Sequence, residues 1–193
     1  MILLFASTNQ HKTEEIKSML PSGINLKNLK DIHWTEEIPE PFDTFQANAA
    51  AKTSFLFERT GLVCFAEDSG LKIDALNGRP GVYSARYAGV HGDSLQNINK
   101  VLFEMSGVEN RKARFISCIA YQSELQKHSF FEDNVEGSIA TEIKGVGGFG
   151  YDPIFIPEGF SQTFSQLKEQ IKNKISHRAK SMRQFLDYLA QNR

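Results

Sequence analysis

A chain of 193 residues is long enough to bury a sizeable core and fits one domain, taken here as residues 1–193. With 22 Lys and Arg against 23 Asp and Glu, the net charge of -1 offers no footing for extended contacts with nucleic acid or an acidic membrane, while leaving room for a local basic pocket. No stretch approaches the roughly 18 apolar residues of a membrane span, the run 1–6 is too short and too poor in basic residues for an export signal, and Cys64 and Cys118 each lie in an apolar run. The expectation is a cytoplasmic protein with buried, reduced thiols.

In chain order, the apolar run 2–6 predicts a buried strand. Ser7-Thr8-Asn9 follows, then a helix over about 10–20 whose Ile16, Met19 and Leu20 share one face before Pro21-Ser22-Gly23 stops it. A strand, a polar loop and a helix open an α/β fold and place Ser7 and Asn9 where such folds bind ligands. Residues 24–29 alternate as a second strand, and the acidic stretch 31–43, with Pro39 and Pro41, reads as loop. Thr44 caps a predicted helix to about Thr60, closed by Gly61. Leu62–Ala66 predicts a buried strand that delivers Glu67-Asp68-Ser69-Gly70 at its end. Residues 77–92 are irregular, and Asp93 caps a helix to about Met105. Strands are predicted over 113–121 and 130–143, a loop over 145–150, a short strand at 153–156 and a last helix from Ser176. This mixed order argues for an α/β fold with a mixed, twisted sheet flanked by helices.

Four fragments carry candidate chemistry, each with a bland alternative. Ser7-Thr8-Asn9-Gln10-His11-Lys12 sets a hydroxyl, an amide and an ammonium at a helix start, where free N–H groups favour phosphate; capping alone also explains it. Glu67-Asp68-Ser69-Gly70 offers hard oxygen ligands for Mg²⁺ or a base for water, or else a turn. Neighbours on an extended chain point opposite ways, so Glu67 and Asp68 reach the same metal only where the strand has ended. Gly145-Val146-Gly147-Gly148-Phe149-Gly150-Tyr151-Asp152-Pro153 contains G-x-G-x-x-G, but no helix opens after it, so the dinucleotide reading is rejected. What remains is a loop presenting Phe149 to a flat base, or a tight turn with Phe149 in the core; the glycine density points to close backbone approach. Ser176-His177-Arg178 puts two cations in a helix's first turn, against its dipole, and reads either as donors to a purine 6-oxo group or as a cap with Arg178 in a salt bridge. Lys172 is a phosphate candidate, and Arg79 and Arg86 fit phosphate or a subunit contact. The histidines show no zinc spacing.

The chain resembles the inosine triphosphate pyrophosphatases, the nonstandard purine nucleoside-triphosphate pyrophosphatases, nearly end to end. The blocks are Ser7-x-Asn9-x-x-Lys12, Thr44-Phe45-x-x-Asn48-Ala49, Asp68-Ser69-Gly70-Leu71, Pro80-Gly81-Val82-Tyr83-Ser84-Ala85-Arg86-Tyr87, Gly147-Gly148-Phe149-Gly150-Tyr151-Asp152-Pro153 and Ser176-His177-Arg178. The resemblance implies a homodimeric α/β protein with an active cleft between two lobes, and Mg²⁺-dependent hydrolysis of ITP, dITP and XTP to the nucleoside monophosphate and pyrophosphate. It implies that Ser7, Thr8, Asn9, Lys12 and Lys172 hold the substrate, that Asp68 is catalytic and holds the metal, that Ser69 lies near the nucleotide, and that Phe149, Gly150, Tyr151, Asp152, His177 and Arg178 shape the base site. Two departures stand out. Ala47 occupies a position where that family usually has a metal-holding Glu, with Glu67 the candidate to compensate, and Gln170-Ile171 replaces a pair of Glu residues before Lys172. Two alternatives stay open: a catalytically weak nucleotide-binding protein of the same fold, prompted by Ala47, or a pyrophosphatase for modified pyrimidine or other nucleotides.

Overall fold

Apolar runs set the strands and polar caps set the helices of this computed structural model, which describes residues 2–192. Strand β1 (Ile2–Phe5) is buried from Leu3 onward. Helix α1 (Gln10–Met19) starts at Asn9, whose side chain accepts from the Lys12 amide at 3.1 Å. Strand β2 (Asn25–Asn28) pairs parallel with β1, Leu3 opposite Leu26. Helix α2 (Phe45–Thr60) is capped by Thr44 and ends at Gly61 in the left-handed region, φ 65°. Its buried positions Phe45, Asn48, Ala49, Lys52, Thr53 and Leu56 follow the helical period. Three of those six, Asn48, Lys52 and Thr53, are polar, so this face meets more than an apolar core.

Strand β3 (Cys64–Ile73) corrects the sequence reading. The predicted strand ended at Ala66, leaving Glu67–Gly70 as a loop; instead the strand runs through all four and on to Leu71 and Ile73. An apolar run ends on paper at its first charges, whereas the sheet tolerates Glu67 and Asp68 because both carboxylates find partners. Helix α3 (Ser94–Glu104) is capped by Asp93. Strand β4 (Lys112–Glu124) overruns its predicted limits at both ends, β5 (Lys127–Ile139) starts before its predicted limit and ends short of it, and β6 (Phe155–Pro157) follows a 3₁₀ turn at Asp152–Ile154. Helix α4 (Glu169–Ile175) was not expected: it is seven residues long and has no side-chain cap. Helix α5 (His177–Gln191) closes the described chain. The six strands run in the order β2-β1-β3-β4-β5-β6, with β1 parallel to β2 and β3 and β5 antiparallel to β6. The α/β class and mixed sheet are therefore as expected.

The chain divides into two compact units. The first comprises Met1–Asp68, Ser117–Asp133 and Arg178–Arg193; the second comprises Ser69–Ile116 and Asn134–His177. In the first unit, alternate residues of β1 and β3 feed two cores. Leu3, Phe5 and Phe65 pack with Ile16, Met182, Phe185 and Leu189, and Phe5 stacks on Phe65 at 4.8 Å. On the other face Leu4, Ala6, Cys64 and Ala66 pack with Leu56 and Leu29. The core of the second unit joins Leu71, Ile73, Ile98, Val101 and Met105 to Phe115, Phe155 and Phe164. There Gly137 permits a close strand pairing, since a Cβ on it would lie 2.3 Å from the Ile156 carbonyl oxygen.

Candidate active site

The alternation that separates the two cores of the first unit also separates the two acidic residues of β3. Glu67 follows the Phe65 face and Asp68 the Ala66 face, each almost fully buried. Burying a carboxylate is costly without partners, and both have them. Asp68 Oδ1 accepts from Lys52 Nζ at 3.3 Å and Oδ2 from Asn48 Nδ2 at 3.2 Å. Lys52 and Asn48 lie one turn apart on the buried face of α2, which aims both at Asp68. The Lys52 ammonium also meets Glu40 Oε1 at 2.5 Å and the Glu67 carbonyl at 3.3 Å. Burial alone would pull this ammonium down, but the facing carboxylates of Asp68 and Glu40 outweigh burial and hold it above the ordinary lysine value.

On the opposite face, Glu67 Oε1 accepts from Arg178 Nη2 at 3.0 Å and from Ser117 Oγ at 2.9 Å, while Lys12 Nζ lies 3.1 Å from Oε2. Ser117 Oγ shares a hydrogen bond with Ser181 Oγ, and Arg178 Nη1 pairs with Glu15. Burial opposes the guanidinium charge, yet Glu67 and Glu15 overcome it and raise its pKa further. Of the three cations in this unit's cluster, Lys12 has the most exposed side chain, at 15% against 9% for Lys52 and 2% for Arg178. At the start of α1 the Ser7 hydroxyl accepts from the Asn9 amide and Asn9 caps the helix, so the capping reading holds in geometry; Thr8 and Asn9 are exposed and Ser7 is half-buried.

The second unit holds a group of different character. Lys172 and Asp152 are both buried, with Nζ 2.6 Å from Oδ2. The same oxygen accepts from the Phe149 amide at 2.8 Å. The Lys172 ammonium lies 5.0 Å from the Phe149 ring centroid and 5.9 Å from that of Phe164. Phe149 itself is half-buried. The glycines of the 145–150 loop serve this packing. A Cβ on Gly148, which has φ +72°, would lie 2.1 Å from Asp152 Oδ2, and one on Gly145 would lie 2.7 Å from the Ser165 backbone. The close approach read from the glycine density is thus to Asp152 and Ser165. His177 is buried and stacks on Phe115, with centroids 4.8 Å apart and planes 10° apart. The buried Tyr151 donates to the Ser84 carbonyl at 2.9 Å, which ties it to the 3₁₀ turn Gly81–Arg86. Gly150 and Ser69 are half-buried.

The structure therefore brings Asp68 together with Lys52, Asn48 and Glu40, Lys12 with Glu67 and Arg178, and Lys172 with Asp152 and Phe149. It sends the side chains of Glu67 and Asp68 to opposite faces of β3. Arg79 pairs with Glu104 at 3.6 Å, and the Arg86 guanidinium lies 5.3 Å from the Tyr83 ring. Sequence reasoning missed Glu40, Lys52, Glu15 and Ser117. Lys52 left a signal, a cation on the apolar face of an Ala-rich helix; Glu40, in a proline-flanked loop with no periodicity, left none.

The Ham1 family model matches residues 3–188. A dITP/XTP pyrophosphatase of Porphyromonas gingivalis is 47% identical over 188 residues, covering 97% of this chain and 96% of that protein. One from Bacillus subtilis is 45% identical over 185 residues, covering 94% and 93%. Among solved structures, the Ham1 protein of Staphylococcus aureus superposes with a TM-score of 0.90 at 32% identity over all of both chains. A HAM1 protein from Coxiella burnetii gives 0.90 at 35% identity over 99% of each. A match along nearly the whole length, at such identities, means that the chain belongs to the Ham1 family.

Proposed function

We propose that this protein hydrolyses nonstandard purine nucleoside triphosphates, ITP, dITP and XTP, to the nucleoside monophosphate and pyrophosphate, and so cleanses the nucleotide pool. Its relatives named dITP/XTP pyrophosphatase support the reaction and substrate class. The observation that carries the chemistry is the convergence of Asp68 and Glu40 on one ammonium, that of Lys52.

That convergence also bears on the metal. The donors are two hard carboxylates with no thiol or imidazole, and no group of three or more Asp, Glu, His or Cys suited to a metal occurs among the described residues. This suits Mg²⁺, which takes one or two carboxylates and fills its shell with water and substrate phosphate. Asp68 and Glu40 would hold it; Glu40 supplies from the preceding loop the carboxylate that Ala47 lacks. When bound, the ion withdraws charge from the phosphoryl oxygens. Asp68 receives the proton of the attacking water, whose oxygen forms the new bond to the α-phosphorus as the bridge to the β-phosphorus breaks. Lys52 holds the Asp68 carboxylate in place. Lys12, the most exposed of the cluster's cations and anchored by Glu67, meets the phosphates together with Ser7, Thr8 and Asn9 at the start of α1. Glu67 enters this reading as the anchor of Lys12, not as a metal ligand.

Base recognition falls to the second unit. Phe149 offers a face for stacking, Asp152 and Lys172 fix the loop that carries it, and Ser69, Gly150 and Tyr151 complete its surroundings. The 6-oxo group is read by His177, because the fork of Arg178 is taken by Glu15 and Glu67. Adenine carries a donor at that position and is disfavoured. A homodimer and a cytoplasmic site follow from the same family reading; no described helix is long and apolar enough to cross a membrane.

A nucleotide panel with Mg²⁺, scored for pyrophosphate against orthophosphate, tests the proposal. ITP and XTP are expected to exceed ATP in kcat/KM by about 10²-fold or more, with pyrophosphate as product. Orthophosphate release, or equal rates with ATP, sinks it. Tight binding of ITP without turnover would favour the nucleotide-binding module instead.

A further inference from the structure

Glu40 lies in a loop, and a loop carboxylate is a poor metal ligand unless something fixes it. Pro39 and Pro41 flank it and carry no N–H, so few backbone donors are available to hold this stretch. The next residue, Phe42, is gripped from both sides by one buried side chain. Asn48 Oδ1 accepts from the Phe42 amide at 2.9 Å, and Asn48 Nδ2 donates to the Phe42 carbonyl at 3.0 Å. The same Nδ2 donates to Asp68 Oδ2 at 3.2 Å. Asn48 is fully buried, so water does not substitute for these bonds. One amide thus ties together the loop that carries Glu40 and the strand that carries Asp68, one helical turn before the lysine on which both carboxylates converge.

We propose that Asn48 is a positioning residue for the divalent ion: its amide clamps the Glu40 loop to Asp68 and sets the separation of the two carboxylates. The inference rests on the reading of Asp68 and Glu40 as the metal pair. The pattern demands an amide of this length. An ionised Asp accepts but does not donate, and a Leu of similar volume does neither. Gln reaches one methylene too far. A helix-borne residue with one donor pair and one acceptor is the smallest group that satisfies Phe42 in both directions and still reaches Asp68.

The test is Mn²⁺ binding to the nucleotide-free protein, followed by electron paramagnetic resonance, with metal-free ITP binding measured alongside. Asn48→Ala is expected to weaken Mn²⁺ binding about 10–100-fold, the usual cost of losing a group that orients a metal ligand, with metal-free ITP binding within about twofold of wild type. Asn48→Ser, a milder change, moves Mn²⁺ binding in the same direction and guards against a folding defect in the first variant. Because Asn48 acts through Glu40, adding Asn48→Ala to Glu40→Gln should weaken Mn²⁺ binding little beyond Glu40→Gln alone. Unchanged Mn²⁺ affinity in the Asn48 variants, or losses that multiply in the double variant, overturns the proposal while Glu40→Gln still weakens Mn²⁺ binding. If Glu40→Gln leaves Mn²⁺ binding intact, the metal pair itself is wrong and the role of Asn48 falls with it.

Discussion

The two units carry their buried charges in different ways. In the first, charge is shared: Glu67 is held by Lys12, Arg178 and Ser117, and Lys52 joins Asp68 to Glu40. In the second, the Lys172–Asp152 pair sits against the rings of Phe149 and Phe164. Shared charge tolerates the arrival of more charge, which a polyphosphate and its metal bring. An ion pair walled by aromatic rings suits a flat, uncharged base. On the proposed function, the contrast separates residues that would hold a ligand's charge from residues that would shape its outline, and it predicts which substitutions damage chemistry and which damage the fold.

Asp68→Asn should have the largest effect. Losing a group that accepts a proton in the transition state costs on the order of 10³–10⁴-fold in turnover, with ITP binding largely kept because the groups proposed for the phosphates and the base, Lys12 and Phe149 among them, remain. Pyrophosphate release under single turnover measures it, and normal turnover would remove Asp68 from its role. Next is a stability contrast between two lysines. Lys172→Met leaves the buried Asp152 carboxylate without its ammonium and should cost about 3 kcal/mol. Lys12→Met leaves the buried Glu67 carboxylate still held by Arg178 and Ser117 and should cost less, about 1–2 kcal/mol. Urea unfolding of both variants decides, and the reverse order would break the contrast between shared and walled charge. Phe149→Ala comes third. Removing a stacking ring costs about 1–3 kcal/mol, read as a rise of about tenfold or more in KM with little change in kcat. A fall in kcat at constant KM would move Phe149 from base binding to chemistry.

How much of this was visible beforehand depended on whether a residue's role is local. Asn9 and Thr44 were legible as caps because a cap is decided within three residues. The strand-loop-helix opening and the crowding of glycines around Phe149 were legible for the same reason. Strand β3 was not, since its passage through Glu67 and Asp68 depends on α2, β4 and α5, which lie far off in sequence. Nor was Glu40, whose partner Lys52 is twelve residues away across a proline and a cap. The partners of Arg178, Glu15 and Glu67, were hidden because they lie far off in sequence, where no reading of a tripeptide supplies them. Helix α4, with Lys172 on its buried side, is too short to show a period.

The smallest prediction concerns where charge stops in the first unit. Cys64 lies on the same face of β3 as Asp68 but four residues earlier, fully buried beside Leu4, Ala6 and Ala66. Its thiol donates to the Thr53 carbonyl at 3.6 Å, and burial pushes its pKa up to about 12. In the unfolded chain a thiol titrates near about 8.5. The folded state therefore keeps its proton in a window where the unfolded state releases it. The resulting stabilisation is complete below about pH 8.5 and is lost as pH rises toward 12. By pH 10 the loss amounts to at most about 2 kcal/mol. Urea midpoints at pH 8 and pH 10 should fall further apart in wild type than in Cys64→Ala, since every other titrating group is common to both. Equal declines would mean that the Cys64 thiol feels water or charge, and that the polar layer of β3 extends past Asp68 into what is drawn here as an apolar core.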